Sequence, residues 1–306
     1  MKFGGHETFA LRANWLPNGI RLLKDDPAAF TGAQLADALG VGSNMAKSIN
    51  HWLVQAGLAE RVKRGAPPRL TKLGELVAKK DPYFLKRATW WALHVNLATR
   101  PGGPAVWSFF FSSYAAERFE RGACLNEFRQ WAEHSSPKQA SADTRARDLG
   151  CLLASYATAV PPEPVDPEDG SECPLRRLGL LTYSPASGYY QRSRERRELP
   201  GAVLAYAFAR MLERRGEELD GKRHADVDIE GTLTDPCGPY RLFGLSFDAY
   251  GEELQAAAAS LPDKDFALDQ LAGSRSLRLR RLPPVKWLQL AYAAKKPRNR
   301  PRKAAS

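Results

Sequence analysis

At 306 residues, 43% of them hydrophobic and 26% charged, the chain is long enough for a substantial core and about two domains. Its formal net charge of +11 points to a polyanionic partner. No run of about 18 apolar residues occurs, and Met1-Lys2-Phe3-Gly4-Gly5-His6 lacks the apolar core of a signal peptide, so membrane association is not expected and a cytoplasmic location is.

From the N-terminus, Glu7 to Lys24 reads as an amphipathic segment. Thr31 is placed to cap a short helix carrying Leu35, Ala36, Ala38 and Leu39, and Gly40-Val41-Gly42 makes a tight turn. Ser43 then caps a second helix whose inner face is Met45 or Ala46, Ile49, Trp52 and Leu53. The outer face presents Asn44, Lys47, Ser48, Asn50 and His51, amide and cationic groups suited to base edges and phosphates in the major groove of double-stranded DNA. After Gly57, residues 58–63 and 69–71 pair as a hairpin, and Thr71 caps a helix through Leu73, Leu76 and Val77. This is the layout of a winged helix-turn-helix over residues 1–82, with Arg61, Lys63, Arg64 and Arg69 on the wing to hold phosphates. A winged helix used only for protein contacts has the same layout; the basic wing favours DNA.

Residues 83–160 read as helical, with apolar blocks at Thr89–Leu97 and Trp107–Phe119 separated by Pro101-Gly102-Gly103-Pro104, and a further helix from Ala142 to Thr158. Between Pro161 and Glu172, four prolines and five carboxylates among twelve residues mark an acidic linker or loop, and the domain boundary is placed at 161–173. A C-terminal α+β region then spans 174–294. Its expected elements are a hairpin around Ser184–Gly188, a helix from Leu199 to Leu212 opened by Pro200, a strand at Tyr240–Ser246 and a helix at Ala249–Leu261. Residues 295–306 form a basic tail, expected to be disordered and to gain affinity for any polyanion by counterion release. The fold class is mainly α with short β-hairpins (α+β). Cys124, Cys151, Cys173 and Cys237 are scattered without a C-x-x-C pair and read as small apolar residues of a reducing compartment.

Several stretches together resemble one family. They are Gly5-His6-Glu7-Thr8-Phe9 with Arg12 and Trp15, Leu39–Met45, Asp81-Pro82-Tyr83, Thr89–His94, Pro174–Leu181 and Tyr240–Phe243. The family is that of SspB from bacterial DNA phosphorothioation cassettes, unrelated to the protease adaptor of the same name. The resemblance implies work beside a cysteine desulfurase, an ATPase and a sulfurtransferase resembling PAPS reductase, which replace a non-bridging phosphate oxygen by sulfur. It also implies nicking of one DNA strand, with no catalytic residue carried over.

Strand scission needs an activated water, charge stabilisation at phosphorus and commonly Mg²⁺ or Mn²⁺. The first candidate site is His6, Glu7 and Arg12: Glu7 to hold a metal or act as base, His6 to shuttle a proton, Arg12 to hold the phosphate. The same residues also fit a structural anchor for the chain start. The second candidate is His224, Asp226, Asp228 and Glu230, which share one face if the segment is a strand; an exposed amphipathic strand would look identical. His94 reads as a core residue, and Asp143 and Asp148 as surface partners of Arg145 and Arg147. The rival to a nickase is a non-catalytic DNA-recognition subunit or transcriptional regulator; an RNA-binding role is disfavoured by the helix-turn-helix layout.

Overall fold

Trp15, Leu16, Gly19, Ile20 and Leu23 recur at helical spacing, and α1 (Trp15–Asp25) buries that face. The computed structural model describes residues 1–32, 34–63, 65–135, 140–162, 172–271 and 274–293. A 3-10 turn at Pro27–Phe30 leads to α2 (Leu35–Leu39), which Gly40 ends in the left-handed conformation at φ 65°. α3 (Ser43–Gln55) follows at once. Two capping expectations are corrected: Thr31 closes the 3-10 turn rather than opening α2, and Ser43 is the first residue of α3 with Gly42 at the cap. β1 (Ala59–Glu60) and β2 (Arg69–Leu70) pair antiparallel, two residues each. Thr71 does cap α4 (Lys72–Lys80), its hydroxyl accepting from the Gly74 amide.

No charged side chain occurs from Ala88 to Thr99, and every one of those residues is buried in α5 (Arg87–Thr99), the axis of the core. α6 (Ala105–Ser108) and a π turn at Phe109–Ser113 take up the start of the second aromatic block, whose end is β3 (Arg118–Glu120). α7 (Arg121–Ser135), α8 (Ala142–Tyr156) and β4 (Ala157–Ala159) come next. After a 3-10 turn at Pro174–Leu178, β5 (Leu181–Ser184) and β6 (Tyr189–Arg192) form the expected hairpin. The sheet order is β3-β6-β5-β4, with β4 parallel to β5. Strands on either side of the acidic segment therefore share one sheet, and the boundary read at 161–173 does not divide the chain into separate cores.

α9 (Gly201–Arg214), nearly all buried, lies against α5. β7 (His224–Asp228), α10 (Ile229–Thr234), α11 (Pro239–Leu242) and α12 (Phe247–Ser260) precede β8 (Phe266–Leu271), β9 (Ser274–Arg280) and α13 (Pro284–Ala293). The three strands pair in the order β7-β9-β8. The strand expected at Tyr240–Ser246 is instead α11 and a turn, because Gly238 and Pro239 supply a helix start that overrides the β-favouring side chains. Among the described residues no helix is long and apolar enough to cross a membrane. Cys124, Cys151 and Cys173 are buried, Cys237 partly so, and all four are free thiols.

His94 is wholly buried, as its place in the tryptophan-rich helix implied. Its Nε2 donates to the Leu242 carbonyl at 2.8 Å, which leaves Nδ1 to accept from the Tyr156 hydroxyl at 2.9 Å. Burial holds its pKa down to about 4, the Arg197 charge adding to the effect and the Leu242 bond opposing it. An unfolded histidine titrates near 6.5, so between those values only the unfolded chain takes up the proton. Stability should rise with pH through that window and be complete above it, His94 alone removing about 2 kcal/mol on acidification from pH 7 to 5. Chemical denaturation at the two pH values checks this. The expected result is a slope that shrinks in His94→Gln; a wild-type stability flat between pH 5 and 6.5 would contradict it.

Candidate functional site

α3 carries two polar faces. Asn44 and Lys47 are exposed, and Asn50 is half-buried. Ser48, His51 and Gln55 recur at intervals of three and four, which sets them on one stripe, and all three are buried. What covers Ser48 and His51 is the start of the chain. The Ser48 hydroxyl donates to the His6 carbonyl at 3.0 Å, and the His51 ring meets the His6 ring edge-on at 6.1 Å. Burial above all, then the Lys2 charge and the His6 ring alongside, hold the His51 pKa down to about 3, so its ring stays neutral. Ser48 and His51 are thus withdrawn from the face expected to meet DNA, because the N-terminal loop packs on their stripe.

That loop is tied down at every other residue. The Lys2 amide donates to the Gly103 carbonyl and the Lys2 carbonyl accepts from the Ala105 amide, both at 2.9 Å. The Gly4 amide donates to both oxygens of Asp148, at 3.0 and 3.1 Å. His6 Nδ1 accepts from the Thr8 amide at 3.1 Å; this sets the ring proton on Nε2, which donates to Asp148 Oδ1 at 2.8 Å. Gly5 lies at φ 91°, and a Cβ there would sit 2.6 Å from His51 Nδ1, so glycine alone fits. Glu7 and Thr8 follow at φ 49° and 70°, a left-handed pair without glycine. Strain of this kind, of order 1–3 kcal/mol per residue, persists only where the surroundings impose it. Here the anchors are His6 on one side and the Phe9 amide, which donates back to the His6 carbonyl at 2.8 Å, on the other.

The result is an exposed Glu7 at the rim of a cavity of about 280 Å³ between this loop and α8. Thr144, Arg147 and Asp148 line its far side. Glu7 and Arg147 supply one carboxylate and one guanidinium at the same opening, the pairing that phosphoryl chemistry uses to hold a cation and an anionic oxygen. Two roles expected from sequence change. His6 has both ring nitrogens bonded within the chain, so it positions the loop and has no lone pair or proton free for a shuttle. Arg12 lies over the Phe9 and Trp15 rings, at 6.0 and 5.6 Å, and does not line the cavity; Arg147 stands there instead. Asp148 is no surface ion pair. It is 3% exposed and accepts three hydrogen bonds from two donors of the loop, the Gly4 amide and His6 Nε2. Arg145, its expected neighbour in ion pairing, reaches Glu133 at 3.5 Å.

On the hairpin, Arg61 and Lys63 are exposed, whereas Arg69 Nε donates to Glu60 at 2.9 Å and is partly neutralised. Arg64 and the tail at 295–306 lie outside the described residues. The second candidate site does not assemble. β7 alternates exposed and buried residues as expected, but it ends at Asp228, which caps α10 by accepting from the Glu230 and Gly231 amides. Glu230 is therefore helical and leaves the strand face. His224 Nε2 donates to the Lys264 carbonyl at 2.8 Å. Among the described residues, no three His, Cys, Asp or Glu side chains converge as a ready-made metal cage.

Over residues 3–292 the chain matches the model of a family described as "Protein of unknown function (DUF4007)". Two solved structures share its fold: a magnesium ion-bound SspB crystal structure, with a TM-score of 0.79, and an SspB crystal structure, with a TM-score of 0.80. Each is 24% identical to the chain, and the match covers 95% of this chain and 88% of the other. No curated protein matches the chain. A family match running almost end to end, on a fold shared with SspB, places the chain in the DUF4007 family.

Proposed function

We propose that this protein is a DNA-binding component of a DNA phosphorothioation system that cuts one strand so that sulfur can be inserted. The observation that carries the reading is the joining of two devices in one structure. α3, with Asn44 and Lys47 exposed, follows α2 through a glycine turn and precedes a short basic hairpin, the order of a winged helix. The loop presenting Glu7 is fastened to the buried stripe of that same helix. The SspB fold supports the phosphorothioation setting, with a cysteine desulfurase, an ATPase and a PAPS-reductase-like sulfurtransferase as the proposed partners.

A divalent cation fits the donor set in one way only. Mg²⁺ is commonly held by one or two carboxylates, with phosphate oxygens and water completing its shell. Glu7 is the carboxylate placed for this, since the Asp148 oxygens are already engaged. Bound there, Mg²⁺ or Mn²⁺ would supply charge neutralisation at the phosphoryl group. Arg147 would hold a second oxygen of the same phosphate, and Glu7 would either bind the ion or take the proton of the attacking water. The single converging carboxylate also supports a second reading, a recognition subunit or regulator without chemistry of its own. Incubating the purified protein with supercoiled plasmid, with and without Mg²⁺ or Mn²⁺, separates them: open circles are expected of a nickase, and their absence with retained DNA binding leaves the second reading.

Recognition has its own test. Asn44→Ala or Lys47→Ala is expected to weaken binding to a verified target duplex by about 1–3 kcal/mol at fixed salt, the cost of losing a base contact. Fluorescence anisotropy reads it, and unchanged affinity in both variants would remove α3 as the reader.

A further inference from the structure

A second cleft, also of about 280 Å³, opens between α8 and the inner face of the four-stranded sheet. One wall is made of the smallest side chains, Gly150 and Ala154 on α8 continued by Ala157 and Ala159 on β4. Tyr183 and Tyr190, cross-strand partners on β5 and β6, form the other, their ring centroids 4.6 Å apart. Tyr190 is itself stacked on Phe119, its partner on β3, at 5.5 Å and 13°, so the aromatic wall is supported from the side.

Arg121, Arg176 and the buried Leu153 complete the lining, and among the described residues no carboxylate takes part in it. Each is anchored on α8: Arg121 Nη2 donates to the Ala146 carbonyl at 3.3 Å and Arg176 Nε to the Ala154 carbonyl at 3.0 Å. Eight residues of helix rise by about 12 Å, so the two guanidinium groups bracket the cleft along its length. A slot of methyl-sized residues facing a supported aromatic pair admits a planar ring, and cations at both ends suit phosphates on either side of it.

We propose that this cleft receives the base of one unpaired nucleotide of a DNA strand, stacked on Tyr183 and Tyr190, with the flanking phosphates on Arg121 and Arg176. The placement along α8 says which nucleotide. Arg147 lines the cavity beside Glu7, and Gly150, one helical turn further on, lines the cleft. The two openings therefore draw on adjacent turns of α8, and a nucleotide turned out of its stack here would sit along the same helix as the phosphate proposed at Glu7. The proposal rests on the DNA-binding function proposed for the protein, and supplies for it a means of exposing one strand locally.

The test uses the full chain and two duplexes of identical sequence, one fully paired and one carrying a single bulged 2-aminopurine. Wild type is expected to bind the bulged duplex about tenfold more tightly and to quench the fluorophore, within the roughly five- to hundredfold range that one base–aromatic stack commands. Ala154→Leu fills the slot from an exposed helix position and is expected to abolish both preference and quenching while leaving the paired duplex bound as before. Tyr183→Phe keeps the ring and should retain both. Equal binding of the two duplexes by wild type, or quenching that survives Ala154→Leu, would overturn the cleft and leave the DNA reading standing. Binding of the bulged duplex alone keeps the cleft and removes duplex recognition. Binding of neither ends both.

Discussion

Glu7→Gln is expected to abolish conversion of supercoiled plasmid to open circles while leaving the fold and the affinity for DNA nearly unchanged. The substitution keeps the length and hydrogen-bonding reach of the side chain and removes only its charge. Glu7 is exposed and accepts no bond within the described residues that the fold needs, so folding does not depend on that charge. The proposed strand scission would, whether the carboxylate holds the cation or takes the proton from water. Loss of a single such group commonly costs two to four powers of ten in rate, roughly 10²–10⁴ for a general base. Plasmid nicking at fixed protein and metal concentration, with circular dichroism to certify folding, measures the effect. A folded variant that nicks at the normal rate would move the chemistry away from this loop.

The largest loss of stability is expected at Asp148. Its two oxygens receive the Gly4 amide and His6 Nε2, and with the side chain removed those donors are left unpartnered, the His6 ring buried and the Gly4 amide partly so. Each such orphan costs about 1–3 kcal/mol, so Asp148→Ala should lose roughly 3–4 kcal/mol, a large share of what a domain has. Asp148→Asn retains an acceptor for one donor and should lose about half as much. Urea titration gives the difference. Because Asp148 acts through the loop and not on the phosphate, the partial rescue by Asn should extend to nicking, which a residue needed for its charge at the reaction centre would not allow. An Asp148→Ala protein as stable as wild type would refute the anchoring role.

Much of the local structure is legible in the sequence alone. Gly40 marks the turn between α2 and α3, Thr71 caps α4, the β5–β6 hairpin sits around its turn, and His94 lies in the core, because each depends on neighbours a few residues away. The site is half legible. Gly5-His6-Glu7 stands out as a compact group ahead of α2 and α3, and Glu7 does reach a cavity rim. What completes the site lies 142 residues on from His6, at Asp148, and nothing in the local run Arg145-Ala146-Arg147-Asp148 distinguishes an anchor from a surface ion pair. A shorter but still long separation, 42 residues between His6 and Ser48, hides the fate of Ser48 and His51. A polar stripe on a helix reads as exposed until the segment that satisfies it is placed on top, and here that segment is held by bonds to residues 42 and 142 positions away. Arg12 fails for the opposite reason: proximity in sequence carries it into the group, while its neighbouring rings draw the guanidinium aside.

The fastening of the Glu7 loop to the inner stripe of α3 would also set a geometry for the products of the proposed strand cut. Where a reading element and a cutting element hang on a flexible tether, breaks scatter over a range of positions. Here Ser48 and His51 on α3, and Asp148 on α8, clamp the loop from both sides. A base read by Asn44 or Lys47 would then fix the helical phase at which the backbone meets Glu7. The molecule would behave as a ruler, and end-mapping of cut duplexes would return one constant offset from the recognised sequence, always on the same strand.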